Sequence, residues 1–292
     1  MDKIYTLGID IGSTASKCVI LADGKELVSK SLIPVGAGTS GPQRAISDVL
    51  ENAGLKREDM GYVLATGYGR NSMLEIADQQ MSELSCHARG ASFLFPEVHT
   101  VIDIGGQDVK VLQIENGVMT NFVMNDKCAA GTGRFLDVMA RVLEVKVEDL
   151  GTLGAQSTKN VGISSTCTVF AESDLVHKIQ VGYAREDIIT GLCRAVATNY
   201  LNNVGKGKQI AAPVVFQGGV SKNAGVVQAF RDELGMDVVV DEDGHLMGAF
   251  GVALLAAEAA PRAGEPGDGE AFDFDALRTF EFVTREVECQ KC

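Results

Sequence analysis

Apolar positions along this chain spell out strands, then helices, and then the same order a second time. Residues 4–11 (IYTLGIDI) are an apolar run ending in Asp and Gly, the mark of a buried strand. Residues 17–22 and 25–33 flank Asp23-Gly24, a dipeptide suited to a two-residue hairpin turn. Helical spacing covers 43–55, started by Pro42 and stopped at Gly54. A short strand at 63–66 leads to helical stretches at 71–78 and 83–94. The pattern restarts with strands from 101 to 123 and helices at 132–143, 146–155, 168–180 and 186–204. Strand 212–219, helix 222–234, strand 236–240 and apolar helix 246–259 complete the patterned part. Beyond Ala260, PRAGEPGDGEAF reads as a linker, followed by the β-prone segment TFEFVTREVECQKC.

The restart is a repeat. VIDIGGQDVKVLQIENG (101–117) lies over GIDIGSTASKCVILADG (8–24) without a gap, so Asp103, Lys110 and Gly117 each stand 93 positions after Asp10, Lys17 and Gly24. Aspartate, lysine and turn in one register predict a duplicated strand–loop–strand unit. The division that follows is a first lobe over 1–97, a second lobe over 98–245, a closing helix over 246–260 and a tail over 261–292.

Composition narrows the function classes. With 39 acidic and 26 basic side chains the net charge is −13, which argues against nucleic acid or an anionic membrane surface as partner. The longest apolar stretch, Gly248 to Ala257, is too short to span a bilayer. MDKIYTLGID is already strand-like, with no basic region and apolar core of a leader, so a soluble cytoplasmic protein is expected.

Each repeat ends a strand in a carboxylate followed by glycines: DIGST (10–14) and DIGGQ (103–107). Glycine lets backbone amides approach phosphate oxygens, and Ser13, Thr14 and Lys17 add donors. Asp10 and Asp103 would repel phosphate unless a cation lay between, which points to Mg²⁺ held largely through waters. QGGVSKN (217–223) is a third glycine turn, suited to a ribose or adenine. GAGTSG (36–41) fits a dinucleotide-loop pattern, but it follows the third strand of a meander rather than the first strand of a βαβ unit.

This arrangement resembles the superfamily of acetate and sugar kinases, heat-shock ATPases and actin. The implied fold is α/β, a two-lobed duplicated actin-like (ribonuclease H-like) ATPase with ATP in the cleft. Candidate nucleotide-binding residues are Gly12, Ser13, Thr14, Ala15, Ser16 and Lys17; Gly105, Gly106 and Gln107; Asp126, Gly131 and Thr132; and Gln217, Gly218, Gly219 and Asn223. Asp10, Asp103 and Gln107 are the candidate catalytic residues, Gln107 as positioner of the hydrolytic water. Lys17 reaches phosphate on this reading, whereas Lys110 is expected to be solvated.

Seven cysteines remain, at 18, 86, 128, 167, 193, 289 and 292. Cys128 in NDKCAAGTG and Cys167 in ISSTCTVF each precede a predicted helix, where free amides and partial positive charge favour thiolate. Two such residues are half of a Cys₄ set, which a symmetric dimer would complete around an iron–sulfur cube or zinc. Cys18 and Cys193 fit core positions. Cys86-His87 fits helix packing, and Cys289/Cys292 fits a free thiol pair.

NDKCAAGTGRFLDVMA, ISSTCTVFAESD, SELSCHARGAS and DIGGQDVK together resemble the activators of 2-hydroxyacyl-CoA dehydratases and the ATPase subunits of benzoyl-CoA reductase. That resemblance implies a homodimer holding one [4Fe-4S] cluster through Cys128 and Cys167 of each copy. It implies an ATPase that passes one low-potential electron from ferredoxin or flavodoxin to a dehydratase or related reductase, in an anaerobic host. An amino-sugar-type kinase of the same superfamily is the alternative. The resemblance also has Gln where this chain has His245, which leaves two readings open, a turn that contacts adenine or a surface turn residue. Four helix starts at about 1 kcal/mol each would bound a potential change of roughly 170 mV.

Overall fold

Two five-stranded sheets of identical plan organise the computed structural model, which describes residues 3–260. In the first, β1 (Tyr5–Ile11), β2 (Ser16–Ala22) and β3 (Glu26–Ile33) form an antiparallel meander. Beyond β1 lie β4 (Met60–Thr66) and β5 (Gln79–Gln80), both parallel, giving the order β3-β2-β1-β4-β5. The second repeats this with β6 (Thr100–Ile104), β7 (Val109–Glu115) and β8 (Val118–Asn125) as meander, then β9 (Val214–Gln217) and β10 (Val238–Val240) as parallel strands. The offset of 93 holds in three dimensions. Residues Ser16–Ala22 map onto Val109–Glu115 end to end. Both hairpins turn on a positive-φ pair, Asp23-Gly24 and Asn116-Gly117, the geometry that the strand twist demands.

Register then fixes an ion pair in each half. Asp10 stands directly opposite Lys17, and Asp103 opposite Lys110. A carboxylate at a strand end and a lysine seven residues on thus become cross-strand neighbours.

Helices cover the sheets. α1 (Gly41–Ala53) packs Ala45, Ile46 and Val49 against Ile9, Ile11 and Ile20 of the first sheet. The second sheet carries α3 (Gly133–Val142), α4 (Leu150–Gly154), α5 (Thr168–Val181), α6 (Arg185–Asn203) and α7 (Ala224–Leu234). Phe230 of α7 meets Tyr200 and Phe216 edge-on at ring separations of 5.3 and 5.1 Å. Such contacts add to the burial of large aromatic surfaces.

Two further helices cross each other, each packed on one of the sheets. α2 (Glu83–Leu94) packs Ala88 and Ala91 on Val101, Leu112 and Val215 of the second sheet. α8 (Met247–Ala259) packs Ala249, Phe250 and Ala253 on Val19 and Leu21 of the first. Their crossing is tight because of glycine. A Cβ on Gly251 would overlap the Cys86 carbonyl, and one on Gly90 would come within 2.5 Å of the Met247 oxygen.

Some predicted elements change. Residues 71–78 do not form a helix; a 3₁₀ turn covers Arg70–Met73 only. Asp78 is drawn to the sheet instead, its carboxylate accepting from Val63 N at 2.7 Å and from Arg57 at 3.1 Å. The predicted helix 146–155 divides into a 3₁₀ turn, Val147–Asp149, and α4. Among the described residues no helix is long and apolar enough to cross a membrane. The linker, the β-prone segment and Cys289/Cys292 lie outside the described residues.

Candidate functional site

The strand ends of β1, β6 and β9 meet at a cleft of about 620 Å³. Asp10, Gly12, Ser13, Thr14, Ala15 and Lys17 line it from the first loop, and Asp103, Gly105 and Gly106 from the second. Gly218, Gly219 and Asn223 line it from the third. The first two loops make the same turn, Gly12 N donating to Ala15 O and Gly105 N to Asp108 O, each at 2.9 Å. They also touch, since a Cβ on Gly106 would run into the Thr14 side chain. Asn223 caps α7, accepting from Gly225 N and Val226 N at 3.0 and 3.2 Å. The GAGTSG segment is a buttress: Ala37 N donates to Gly12 O at 2.9 Å.

Several candidates stand elsewhere. Ser16 is buried and donates to Val35 O at 2.9 Å. Gln217 is fully buried with its amide nitrogen 2.8 Å from His87 Nδ1. Thr132 is fully buried, its hydroxyl donating to Ala129 O at 2.6 Å. Gly131 is buried against Asn199, and Asp126 is exposed. Gln107 is exposed and does not line the cleft.

A buried charge cluster forms the floor, and most of it was not anticipated. Lys110 is not solvated but 1% exposed. Its Nζ lies 3.1 Å from Asp103, 2.8 Å from Glu83 and 2.5 Å from Asp108. A buried lysine needs this kind of pairing, and the duplicated hairpin supplies its first partner. Lys17 pairs with Asp10 at 3.0 Å in the equivalent place. Burial alone would lower the Lys110 pKa, but the Asp103, Glu83 and Asp108 carboxylates raise it well above the ordinary value. Burial pushes Glu83 up, but His87 and Lys110 together hold it well below the usual carboxylate range. In Asp108 burial wins over Lys110, and its pKa is raised. His87 resists the lowering effect of burial through Asp103 and Glu83, and its pKa is raised. The sequence signal for this pair was available: Glu83 and His87 stand four apart on one helix face.

Four carboxylates, Asp10, Glu83, Asp103 and Asp108, face two lysines here. Asp103 Oδ1 is buried with no hydrogen-bond partner. Negative excess and an unsatisfied carboxylate oxygen beside glycine loops suit a divalent cation accompanying a polyphosphate. At the opposite wall His245 is part-buried and lines the cleft, rather than sitting out on a surface turn. Its Nε2 lies 3.3 Å from Lys222 Nζ, and burial with the Lys222 charge lowers its pKa to about 4.

Cys18, Cys86 and Cys193 are buried, whereas Cys128 and Cys167 are part-exposed. Cys167 is the N-cap of α5, and its sulfur accepts from Phe170 N at 3.5 Å. Cys128 is placed differently. It precedes the Thr132 N-cap by four residues, and the first amides of α3 are already engaged. Gly133 N donates to Gly105 O and Arg134 N to Gly106 O, both at 2.9 Å. Asn199 of α6 stands between the two cysteine loops, against Gly131 and donating to Ser165 O at 2.5 Å. Among the described residues no three His, Cys, Asp or Glu side chains gather as a metal site within one chain.

Comparison with known proteins places this geometry. Residues 7–256 match the BadF/BadG/BcrA/BcrD ATPase family. The chain is 62% identical over 263 residues to the (R)-2-hydroxyglutaryl-CoA dehydratase activating ATPase of Acidaminococcus fermentans, covering 89% of this chain and 100% of that one. The crystal structure of component A of that dehydratase superposes with a TM-score of 0.86 at 61% identity, over 89% of this chain and 100% of the other. The Clostridium difficile activator of 2-hydroxyisocaproyl-CoA dehydratase, solved with bound ADPNP, gives 0.83 at 44% identity, over 97% and 100% of the two chains.

Proposed function

This chain belongs to the BadF/BadG/BcrA/BcrD ATPase family, and on that footing we propose that it is the ATP-driven activator of a 2-hydroxyacyl-CoA dehydratase or related reductase. Two copies share one [4Fe-4S] cluster through Cys128 and Cys167 of each. Ferredoxin or flavodoxin supplies the electron, in the cytoplasm of an anaerobic host. A cluster bound there would store one electron and release it at low potential. Residues 1–97 with helix 246–260 and residues 98–245 act as two lobes around the nucleotide.

The observation that carries this reading is the pair of bonds from α3 to Gly105 and Gly106. A loop that shifts when it grips phosphate moves α3 with it, and the Cys128 segment is the entry to that helix. Within the cleft, the amides of both glycine loops with Ser13, Thr14 and Lys17 hold the phosphates. Asp10 and Asp103 hold hydrated Mg²⁺, which Asp103 Oδ1 supports, having no hydrogen bond and only His87 Nδ1 at 3.9 Å. Gly218, Gly219 and Asn223 receive the nucleoside.

Helix α5 supports the shared site. Beyond Cys167 it leaves Val169, Phe170, Val176, Ile179 and Val181 exposed, between 39% and 68%. Solvent is a poor neighbour for that many large apolar groups on one short helix, and a second copy would cover them. An amino-sugar kinase has no use for part-exposed thiols joined to its phosphate loop, and the 62%-identical relative is not a kinase by name.

Air-free purification tests the proposal. The full chain is expected as a brown dimer with about four iron and four sulfide per dimer. Cys128→Ala and Cys167→Ala are each expected to lose the iron while still binding nucleotide. Colourless, monomeric material after reconstitution would leave an ATPase without the electron-transfer role.

A further inference from the structure

Helix α6 holds the segment that ends in Cys167 along much of its length. Asp187 Oδ1 accepts from Thr158 N and Lys159 N at 2.7 and 2.8 Å and from the Ser157 hydroxyl at 3.0 Å. Val161 O approaches Gly191 so closely that a Cβ there would not fit. Arg194 donates to Asn160 Oδ1. Near the end of the helix Asn199 Nδ2 donates to Ser165 O at 2.5 Å, just ahead of Cys167.

Asn199 also reaches the other cysteine loop. It is 4% exposed, and asparagine is a poor residue for a helix interior, so its bonds are what sustain a buried amide here. Its Oδ1 accepts from Asn203 Nδ2 at 2.9 Å, and the same oxygen lies 2.8 Å from where a Cβ on Gly131 would stand. With φ at +77°, Gly131 is in a conformation that side chains rarely adopt, so loop and amide meet where only glycine fits. Gly131 lies between Cys128 and Gly133, whose amide donates to Gly105 O at 2.9 Å. One buried amide thus touches both cysteine loops, and one of those loops is bonded to the second phosphate loop.

We propose that Asn199 is a positioning residue that couples Cys167 to the second phosphate loop, through Gly131 and the start of α3, so that both thiols of one chain respond to the nucleotide. This rests on the cleft being the ATP site and on the α3 coupling proposed above, which it extends from Cys128 to Cys167. Close-packed contacts pass a displacement on because they have no free space to absorb it. Asn199 does not line the cleft, so it acts on the placement of the thiols and not on phosphate binding.

The competing role is local, an amide that only satisfies the Ser165 carbonyl. Alkylation rates of Cys128 and Cys167 in the iron-free full chain separate the two, read by peptide mass spectrometry with ADP and with a non-hydrolysable ATP analogue. In the wild type both rates are expected to differ between the nucleotides by about threefold or more. Asn199→Ala is expected to keep that difference at Cys128 and lose it at Cys167, with analogue affinity unchanged. A Cys167 response that survives in the variant would overturn the role, as would loss of the response at both thiols. Should Asn199→Ala not fold, Asn199→Asp takes its place: it keeps Oδ1 beside Gly131, its carboxylate has no proton to give the Ser165 carbonyl, and the same outcomes decide. A wild type in which Cys128 responds and Cys167 does not would overturn the role and leave the function above standing. One that binds the analogue with neither thiol responding would overturn the α3 coupling and this role with it, and one that binds no analogue would overturn the reading of the cleft.

Discussion

Among the described residues five thiols with one chemistry are separated into two kinds by their surroundings. Cys86 and Cys193 lie in apolar packing, and burial pushes both up to about 12. At pH 8 a thiol with that pKa is thiolate in only about one molecule in ten thousand, and thiolate is the form that alkylates. Cys18 is raised further by its burial, despite a hydrogen bond with Ser31 that acts the other way. Cys128 and Cys167 are part-exposed instead. Iodoacetamide at pH 8 on iron-free protein is therefore expected to label Cys128 and Cys167 within minutes, and Cys18, Cys86 and Cys193 only after unfolding. Peptide mass spectrometry reads the outcome, and fast labelling of Cys193 in folded protein would contradict the packing described. The same contrast explains what the sequence revealed. Cys18 and Cys193 were readable as core from their apolar periodicity. Lys110 was not readable as buried, because its partners Glu83 and Asp108 arrive from a different helix and from the loop's own return.

Packing between elements is decided where α2 crosses α8. Gly251 meets the Cys86 carbonyl so closely that any side chain must push the two helices apart. Gly248 faces the cleft end of the same crossing, where a Cβ would lie 2.7 Å from Asp10 Oδ2. Gly251→Ala is expected to cost about 3 kcal/mol, the upper part of the overpacking range. For a domain this large that is roughly 6–12 °C in thermal midpoint. Gly162→Ala, with nothing within 4 Å of the new methyl, is the control and should leave the midpoint almost unchanged. Differential scanning fluorimetry distinguishes them. The duplication made the sheets legible from sequence, since strand alternation, turn dipeptide and the 93-residue offset all agree. Failure came where tertiary bonds overrode local preference. Residues 71–78 have helical spacing, but the Asp78 carboxylate gains more from Val63 N and Arg57 than another helical turn would return. Glu83 was hidden for a related reason: its helix was predicted, while its place beside Lys110 on the cleft wall depends on how that helix packs across α8 at glycines 90 and 251.

For the whole molecule, the question is how much electrical work the proposed nucleotide-driven movement could do at cysteines shared by the proposed dimer. Four helix starts would bound the change at roughly 170 mV, but the structure halves that number. The α3 amides that would face a cluster already donate to Gly105 and Gly106, and Cys128 stands four residues ahead of the cap. Only Cys167 is itself a helix cap, one per copy. Two caps at about 1 kcal/mol each give about 2 kcal/mol, or roughly 85 mV for one electron. On the proposed reading the α3 contribution is mechanical rather than electrostatic, since its bonds to Gly105 and Gly106 tie that loop to the helix that the Cys128 segment enters. An anaerobic redox titration of the loaded dimer, with ADP and with a non-hydrolysable ATP analogue, is expected to show a shift of no more than about 85 mV. A larger shift would mean that solvent access or cluster geometry changes with nucleotide, so that helix ends are not the main source. No shift at all would place the coupling in partner docking, with ATP serving to open a path for the electron rather than to raise its energy.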